Sequence, residues 1–272
     1  MSTPDLELAL ALADVADAIT VPRFRATDLV VSTKPDLTPV SDADRAAEVA
    51  LRDLLARARP ADAVLGEEMG HTPGQGQAEV GGPRRRWVLD PIDGTKNFVR
   101  GIPVWGALIA LECDGVPEVG VVSAPALGRR WWAARGHGAW ADGHRLAVSA
   151  VADLADAQLS YDSFIGFEVH GLGQAAVELE RRCWRSRGFG DFWSHVLVAE
   201  GAVDVALEPE VAHWDISPLQ VIVEEAGGRF SDLGGRRRPD GGSVLSTNGL
   251  LHDDVLAVLE AARSGGAGPE KG

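Results

Sequence analysis

Cysteine is nearly absent: Cys113 and Cys183 are the only two in 272 residues, and neither lies in a CxxC pair or a Cys/His cluster. A disulfide framework or a structural zinc site is therefore not expected, and both thiols read as reduced core residues. Long hydrophobic runs are missing as well; no apolar stretch approaches the ~20 residues that a bilayer crossing needs. The opening Met1–Glu7 shows neither a basic n-region nor a cleavage pattern, so the expectation is a cytoplasmic protein with no membrane partner. Positive charge is scarce. Lys and Arg number 26 against 40 Asp and Glu, a net charge of −14, which argues against nucleic acid as the main partner. An acidic chain can still take an anionic ester if divalent ions held by carboxylates neutralise it locally. What is present is ordinary for a soluble enzyme, with 45% apolar and 24% charged residues. The length allows one large domain or two tightly joined halves.

Local signals place the first elements. Thr3 is set to cap a helix from Pro4 to about Ile19, with Pro4 at its first position and Asp5 and Glu7 at the positive end of the dipole. Ser41 and Asp44 have the spacing of a capping box at the head of a second helix, which ends before Pro60. Ala63–Gly66 reads as a buried strand delivering Glu67 and Glu68, and Gly70–Pro83 as an exposed, mobile loop, placed to close over a substrate. Arg86–Asp90, Gly106–Glu112, Val119–Ser123 and Arg130–Ala134 read as strands, with turns such as Asp114-Gly115 suggesting antiparallel hairpins. Further on, strands are expected at Ala157–Tyr161 and Asp204–Leu207. Helices are expected at Leu172–Arg182, Phe192–Gly201, Ile216–Ala226 (opened by Asp215) and Asp253–Ala262. Residues 263–272 read as a disordered tail.

The chemistry concentrates in Trp87-Val88-Leu89-Asp90-Pro91-Ile92-Asp93-Gly94-Thr95. Two aspartates three apart, with Pro91 between them, sit on a bent and restricted backbone at the end of a buried strand. Both carboxylates can then converge on one side and leave the Ile92 carbonyl free as an oxygen ligand. Gly94 permits close backbone approach, and Thr95 opens a helical turn whose amides suit a phosphate. Hard oxygen donors of this kind suit Mg²⁺. An Asp-x-x-Asp alone is a weak signal, but an unpaired carboxylate at a buried strand end is costly and needs a reason.

Leu89-Asp90-Pro91-Ile92-Asp93-Gly94-Thr95 resembles the first signature of the inositol monophosphatase superfamily. Trp214-Asp215-Ile216-Ser217-Pro218 through Glu225-Ala226-Gly227-Gly228 resembles the second. Gly66-Glu67-Glu68 matches the family's metal-binding glutamate region, and Thr38–Asp44 its N-terminal active-site loop. The motifs keep the family's order from Lys34 to Gly228. The resemblance implies an α/β fold, the layered α-β-α-β-α sandwich of the sugar-phosphatase type. A first half, 1–150, would carry an antiparallel sheet and most metal ligands; a second, 151–262, would carry a smaller mixed sheet, the specificity residues and Asp215. It implies two to three Mg²⁺ per site. Glu67, Asp90 and the Ile92 carbonyl would hold the first ion, and Asp90, Asp93 and Asp215 the second. A third would sit near Glu67, with Asp44 acting through water. Thr95 with Asp44 would orient the attacking water and Glu67 would help deprotonate it, while Asp93, Gly94 and Thr95 would also meet the substrate. Homodimers are implied too.

The segment Trp184–Trp193, the run Thr95–Trp105 and Arg130–Gly136 resemble the histidinol-phosphate phosphatase branch. Histidinol phosphate has a cationic leaving group, and Asp191 and Glu208 could accept from its ammonium and imidazole. Arg187 would pair with Asp191 or reach the ligand, and Asp191 would also cap the helix from Phe192. Glu68 reads as a solvated neighbour of Glu67 or as a group supporting the ligands from behind, Trp131-Trp132 as core or subunit interface, and His195, His213 and His252 as structural. The alternatives are an inositol-1-monophosphatase or broad small-molecule phosphatase and, from another class, a catalytically idle ligand-binding regulator.

Overall fold

The computed structural model describes residues 3–35, 37–75, 82 and 84–265. Helix α1 (Pro4–Thr20) begins as its cap predicts, with Thr3 Oγ1 accepting the Leu6 amide at 3.2 Å and Pro4 in the first position. Two short strands, β1 (Val31–Thr33) and β2 (Pro39–Ser41), pair antiparallel. They lead into α2 (Asp42–Ala58), opened by the expected capping box: Ser41 Oγ accepts the Asp44 amide, and Asp44 Oδ2 accepts the Ser41 amide at 2.9 Å. Next come β3 (Ala63–Gly66), β4 (Gly70–Thr72), β5 (Arg85–Asp93) and α3 (Thr95–Arg100). A meander follows: β6 (Gly106–Cys113), β7 (Val116–Ala124), β8 (Arg129–Ala134), β9 (Ala139–Ala141) and β10 (His144–Arg145). The remainder is β11 (Gln158–Tyr161), α4 (Phe164–Val169), α5 (Gly173–Arg182), β12 (Arg185–Arg187) and α6 (Asp191–Ala199). After these come β13 (Val205–Glu208), α7 (His213–Glu225), β14 (Arg229–Ser231), β15 (Val244–Thr247) and α8 (His252–Gly265).

The strands form an eight-stranded sheet, β10-β9-β8-β7-β6-β5-β3-β4, and a five-stranded mixed sheet, β12-β11-β13-β15-β14. Helices α1 and α2 cover one face of the larger sheet through Leu12, Leu51, Trp87, Ile109 and Val121. Helices α6 and α7 lie between the sheets, in a core that joins Leu108 and Val122 to Phe192, Ile222 and Val244. Helices α4, α5 and α8 close the outer face of the smaller sheet around Leu159, Phe167, Leu179 and Val255. The result is the expected α-β-α-β-α sandwich. Covering on both faces explains why β6 reads as a nearly unbroken apolar run: side chains of either parity are buried.

Several expectations are corrected. The larger sheet is not wholly antiparallel. Strand β4 returns along the edge of β3, so the chain re-enters in β3's direction and β5 pairs with β3 in parallel. The expected Gly70–Pro83 loop therefore starts as a strand; residues 73–75 follow it, with the Gln75 amide donating to Pro60 O at 2.7 Å. Residues 76–81 and 83 lie outside the described residues. Helix α7 begins at His213, so Asp215 sits inside its first turn rather than ahead of it. Helix α8 runs through Gly265, and the expected tail beyond it lies outside the described residues. Both cysteines are free but half-buried rather than in the core. Trp131 is core, whereas Trp132 is partly buried against the α1 layer. No helix among the described residues is long and apolar enough to cross a membrane.

Candidate metal centre and ester-binding cavity

The site begins where β5 stops behaving as a strand. Its pairing with β6 shifts register between Asp90 and Asp93, across Pro91, which has no amide to donate. Asp90 Oδ1 accepts the Ile92 amide at 2.9 Å and so closes the bend. The Ile92 side chain anchors the turn from below, packed with Ala43, Phe98 and Trp105. Gly94 then takes a left-handed conformation (φ 78°), and a Cβ there would lie 2.9 Å from the Val104 carbonyl. Thr95 follows at the head of α3, donating its hydroxyl to Ile92 O at 2.9 Å with Asp44 Oδ1 at 3.3 Å. Asp215 arrives from far along the chain on the first turn of α7, where its Oδ2 accepts the Ala212 amide at 2.8 Å.

Asp90, Asp93 and Asp215 each offer a carboxylate oxygen, all within 4.8 Å of one another. Burial pushes Asp90 and Asp93 well above the usual carboxylate range, and neighbouring carboxylates push further: Glu67, Asp93 and Asp215 on Asp90, Asp191 and Asp215 on Asp93. Asp215 is raised to about 7, again mainly by burial, against the pull of the Ala212 amide. An all-oxygen set whose members repel one another suits a hard divalent cation. The Ile92 carbonyl faces the same turn and keeps a second lone pair beyond its bond from Thr95.

Glu67 stands just past β3, its amide bonded to Leu89 O at 3.1 Å. Its partner is a residue that sequence reasoning missed. Lys34 Nζ lies 2.7 Å from Glu67 Oε1 and 2.6 Å from Glu68 Oε1. Burial disfavours the ammonium, but the two carboxylates outweigh it and hold the lysine above its ordinary value. Glu68 is thus not a solvated neighbour; its side chain is largely buried and paired. The available signal was a single lysine at the edge of an acid-rich loop.

A cavity of about 670 Å³ runs from this cluster into the second half. Glu67, Asp93 and Thr95 line it from the first half of the chain, and Asp162, Asp191 and Glu208 from the second, with Asp191 close beside Asp93. Asp191 is raised to about 7 by burial, then by Glu208 and Asp162, with Lys96 pulling the other way. Burial, then Asp162, raises Glu208 well above its usual range. Glu208 Oε1 lies 3.2 Å from His195 Nε2, whose Nδ1 is 2.8 Å from Ser246 Oγ. Burial lowers His195 to about 4, so the ring is neutral; it lines the cavity besides holding Glu208. The two sets of residues meet where the Phe192 amide donates to Asp93 Oδ2 at 2.8 Å.

Two roles given to Asp191 are corrected. Gly190, not Asp191, holds the N-cap position of α6, leaving the carboxylate free of capping. Its side-chain partner is Asn97, whose Nδ2 lies 3.0 Å from Oδ2; Arg187 is exposed, outside the cavity wall, and donates to Ser186 O at 2.6 Å. Strand β12, which carries Arg187, is the edge strand of its sheet, and Arg187 at its end is the exposed one of its three residues. Asn97 and Asp162 were also missed; neither has a spacing that separates it from an ordinary turn residue. His213 and His252 are structural as expected: His213 Nε2 meets Glu112, and His252 bonds Ser231 and Thr247.

Comparison with known proteins adds an independent finding. The family model described as the inositol monophosphatase family matches residues 2–264. The chain is 58% identical to the histidinol-phosphatase of Mycobacterium tuberculosis, over 96% of this chain and all of that protein. It is 52% identical to the histidinol-phosphatase of Streptomyces coelicolor, over 94% and 96% of the two chains. Among solved structures, the IMPase of Thermotoga maritima superposes with a TM-score of 0.83 at 29% identity, covering 97% of this chain and 99% of that one. With the Asp-Pro-Ile-Asp turn, the distant Asp215 and the five-layer sandwich all in place, the chain belongs to the inositol monophosphatase family of metal-dependent phosphomonoesterases.

Proposed function

We propose that the protein hydrolyses histidinol phosphate to histidinol and phosphate, a step of histidine biosynthesis. The observation that carries the substrate reading is the cavity itself. Beside the Asp90, Asp93 and Asp215 cluster it presents three more carboxyl groups, Asp162, Asp191 and Glu208, with Lys96 the cation that acts on Asp191. An ester whose alcohol bears an ammonium and an imidazole supplies positive charge to meet them; a neutral polyol does not. The full-length identity to histidinol-phosphatases supports the same reading.

Asp90, Asp93, Asp215, Glu67 and the Ile92 carbonyl would hold Mg²⁺, two to three ions per site. The bound metal lowers the pKa of water, neutralises the phosphoryl oxygens and stabilises the leaving oxygen. The chain's own groups supply position. The Thr95 hydroxyl, fixed by Asp44 and Ile92 O, orients the attacking water, and Glu67 Oε accepts its proton. Water adds to phosphorus, the bond from phosphorus to the ester oxygen breaks, and that oxygen takes a proton from solvent to leave as the alcohol, while Glu67 returns the proton it accepted to solvent. The amides of Gly94 and Thr95 receive phosphoryl oxygens, while Asp191 and Glu208 accept from the cationic alcohol. A cytoplasmic homodimer completes the reading, and sedimentation would test its oligomeric part.

The experiment is phosphate release with Mg²⁺ from histidinol phosphate and inositol 1-phosphate side by side, in wild type and Asp191→Asn. A charge-assisted contact is worth about 1.5–3 kcal/mol, so kcat/KM for histidinol phosphate should fall about 10–100-fold, with inositol 1-phosphate nearly unchanged. Equal losses would reject the specificity reading in favour of a broad phosphatase. No release from any ester would favour an idle regulator.

A further inference from the structure

The turn that presents Glu67 is held from outside by a buried carboxylate that belongs to neither set of cavity residues. Glu48, fully buried on α2, reaches into the hairpin between β3 and β4. Its Oε2 accepts the Glu68 amide at 2.7 Å and its Oε1 accepts the Met69 amide at 3.1 Å. One turn further along α2, Arg52 donates Nε to Glu48 Oε1 at 2.7 Å, Nη2 to Gly70 O at 2.5 Å and Nη1 to Thr72 Oγ1 at 2.8 Å. A single ion pair thus gathers two amides and the far carbonyl of the turn.

The arrangement also accounts for Gly66. A Cβ at that position would fall 2.2 Å from Glu48 Oε1 and 2.9 Å from Arg52 Nη2, so the residue before Glu67 must lack a side chain for the carboxylate to enter. One turn before Glu48 on the same helix face, Asp44 approaches Thr95 at 3.3 Å. Asp44, Glu48 and Arg52 therefore form one stripe of α2, set against Thr95 at one end and the Glu67 turn at the other. A buried ion pair is a poor way to gain stability, because desolvation offsets most of the attraction. Its strength lies in geometry: a carboxylate accepting several directed bonds permits little displacement of its donors.

We infer that Glu48 is a positioning residue, which fixes the Glu67 carboxylate at the mouth of the metal centre by holding the amides of the two residues that follow it. The inference rests on Glu67 being a metal-holding carboxylate, and its test separates the two claims. Mn²⁺ alone, without ester, is titrated into folded wild type, Glu48→Gln, Glu48→Ala, Gly66→Ala and Glu67→Gln, with free ion followed by electron paramagnetic resonance. Melting of each variant is recorded in chelator. Glu48→Gln keeps the side chain's shape and one acceptor, and should weaken Mn²⁺ about ten-fold, in the range of outer-sphere substitutions at metal sites. Gly66→Ala, which displaces the carboxylate without removing it, should match that loss. In turnover assays the loss should appear as a higher Mg²⁺ activation constant, with KM for the ester unchanged at saturating Mg²⁺. If Glu67→Gln weakens Mn²⁺ while Glu48→Gln binds it as wild type does, the inference is overturned, even if Glu48→Gln melts lower. If Glu67→Gln also binds normally, the assignment of Glu67 fails and the inference falls with it. Should Glu48→Ala not fold, the isosteric Glu48→Gln still decides the matter.

Discussion

The same two elements, β5 and α7, feed two buried acidic clusters that meet opposite fates. In one, Glu112 of β6 is surrounded by donors: His213 Nε2 at 2.5 Å, Ser217 Oγ at 2.8 Å and Arg86 Nη2 at 2.6 Å. Burial alone would raise its carboxyl, yet His213, Arg86 and Ser217 bring it below its ordinary value. In the other, Asp90 and Asp93 of β5 meet Asp215, two residues beyond His213 on α7, and what surrounds them is mostly further negative charge. Burial is similar and compensation is not. A buried acid with its cations supplied by the fold joins sheet to helix; a buried acid cluster without them reserves the place for a cation from outside.

Substitution should separate the two clusters most sharply. On the proposed metal assignment, Asp90→Asn removes an oxygen ligand from an ion whose stabilisation of the transition state would be worth several kcal/mol, so phosphate release should drop by about 10³-fold. Its metal-free melting temperature should hold or rise, because repulsion among the carboxylates is relieved. Glu112→Gln should do the reverse. Breaking a buried pair from one side costs about 3–5 kcal/mol of stability, while the folded fraction keeps turnover within about ten-fold. Calorimetry and a phosphate assay read both variants, and an inactive but stable Glu112→Gln would erase the distinction.

Metal binding gives a second, smaller contrast. At a hundred times its dissociation constant, Mg²⁺ should stabilise the wild type by about 2.7 kcal/mol. The gain should vanish in Asp90→Asn and survive in Glu112→Gln. Equal gains in both variants would show that the ion binds elsewhere.

The effect of pH is smaller again, and its sign differs between the clusters. Asp215 holds its proton to about pH 7 when folded, against 3.8 for the free side chain, so between those values the folded state binds more protons. Metal-free stability should therefore fall as pH rises from 4 to 7, and the Mg²⁺ gain should grow across the same interval as the ion replaces protons. The lowered Glu112 contributes in the opposite sense: its stabilisation is present above 4.5, the ordinary value of a free glutamate, and is lost as pH falls through its lower folded value. Melting curves of Asp215→Asn should show the first trend weakened, with Asp90 and Asp93 still carrying part of it, and those of Glu112→Gln the second weakened.

Much of this architecture was legible where the signal is local. Thr3 and Ser41 each cap a helix with side chains acting within three residues, and both helices start where those residues say. The Asp90–Thr95 turn was legible for the same reason: proline, glycine and two aspartates dictate its bend within a few positions. Strands β1, β2, β9, β10, β12, β14 and β15 were not foreseen, β2 lying within a segment that reads as a loop. At two to four residues each they show no periodicity to read, and β12, Arg185-Ser-Arg187, exists because β11 lends it a parallel partner. The site residues divide similarly. Glu67, Asp93 and Thr95 sit together as the motifs imply. Lys34 was invisible because its role depends on Glu67 and Glu68 coming within an ion-pair distance, and the expected Arg187–Asp191 pair gave way to Asn97 of α3, 94 positions away in the chain.

By itself the sequence determined the kind of chemistry: hard oxygen donors on a restricted turn, helix starts written in capping residues, and a surplus of acid that leaves an anionic substrate dependent on cations. Hydrogen bonds over three or four residues need no tertiary fold, which is why these features could be read directly. Only the tertiary structure decided which buried carboxylates are neutralised and which are left to repel. Glu112 finds Arg86 and His213 while Asp90 finds Asp93 and Asp215, because compensating a buried charge depends on partners that packing brings from distant parts of the chain.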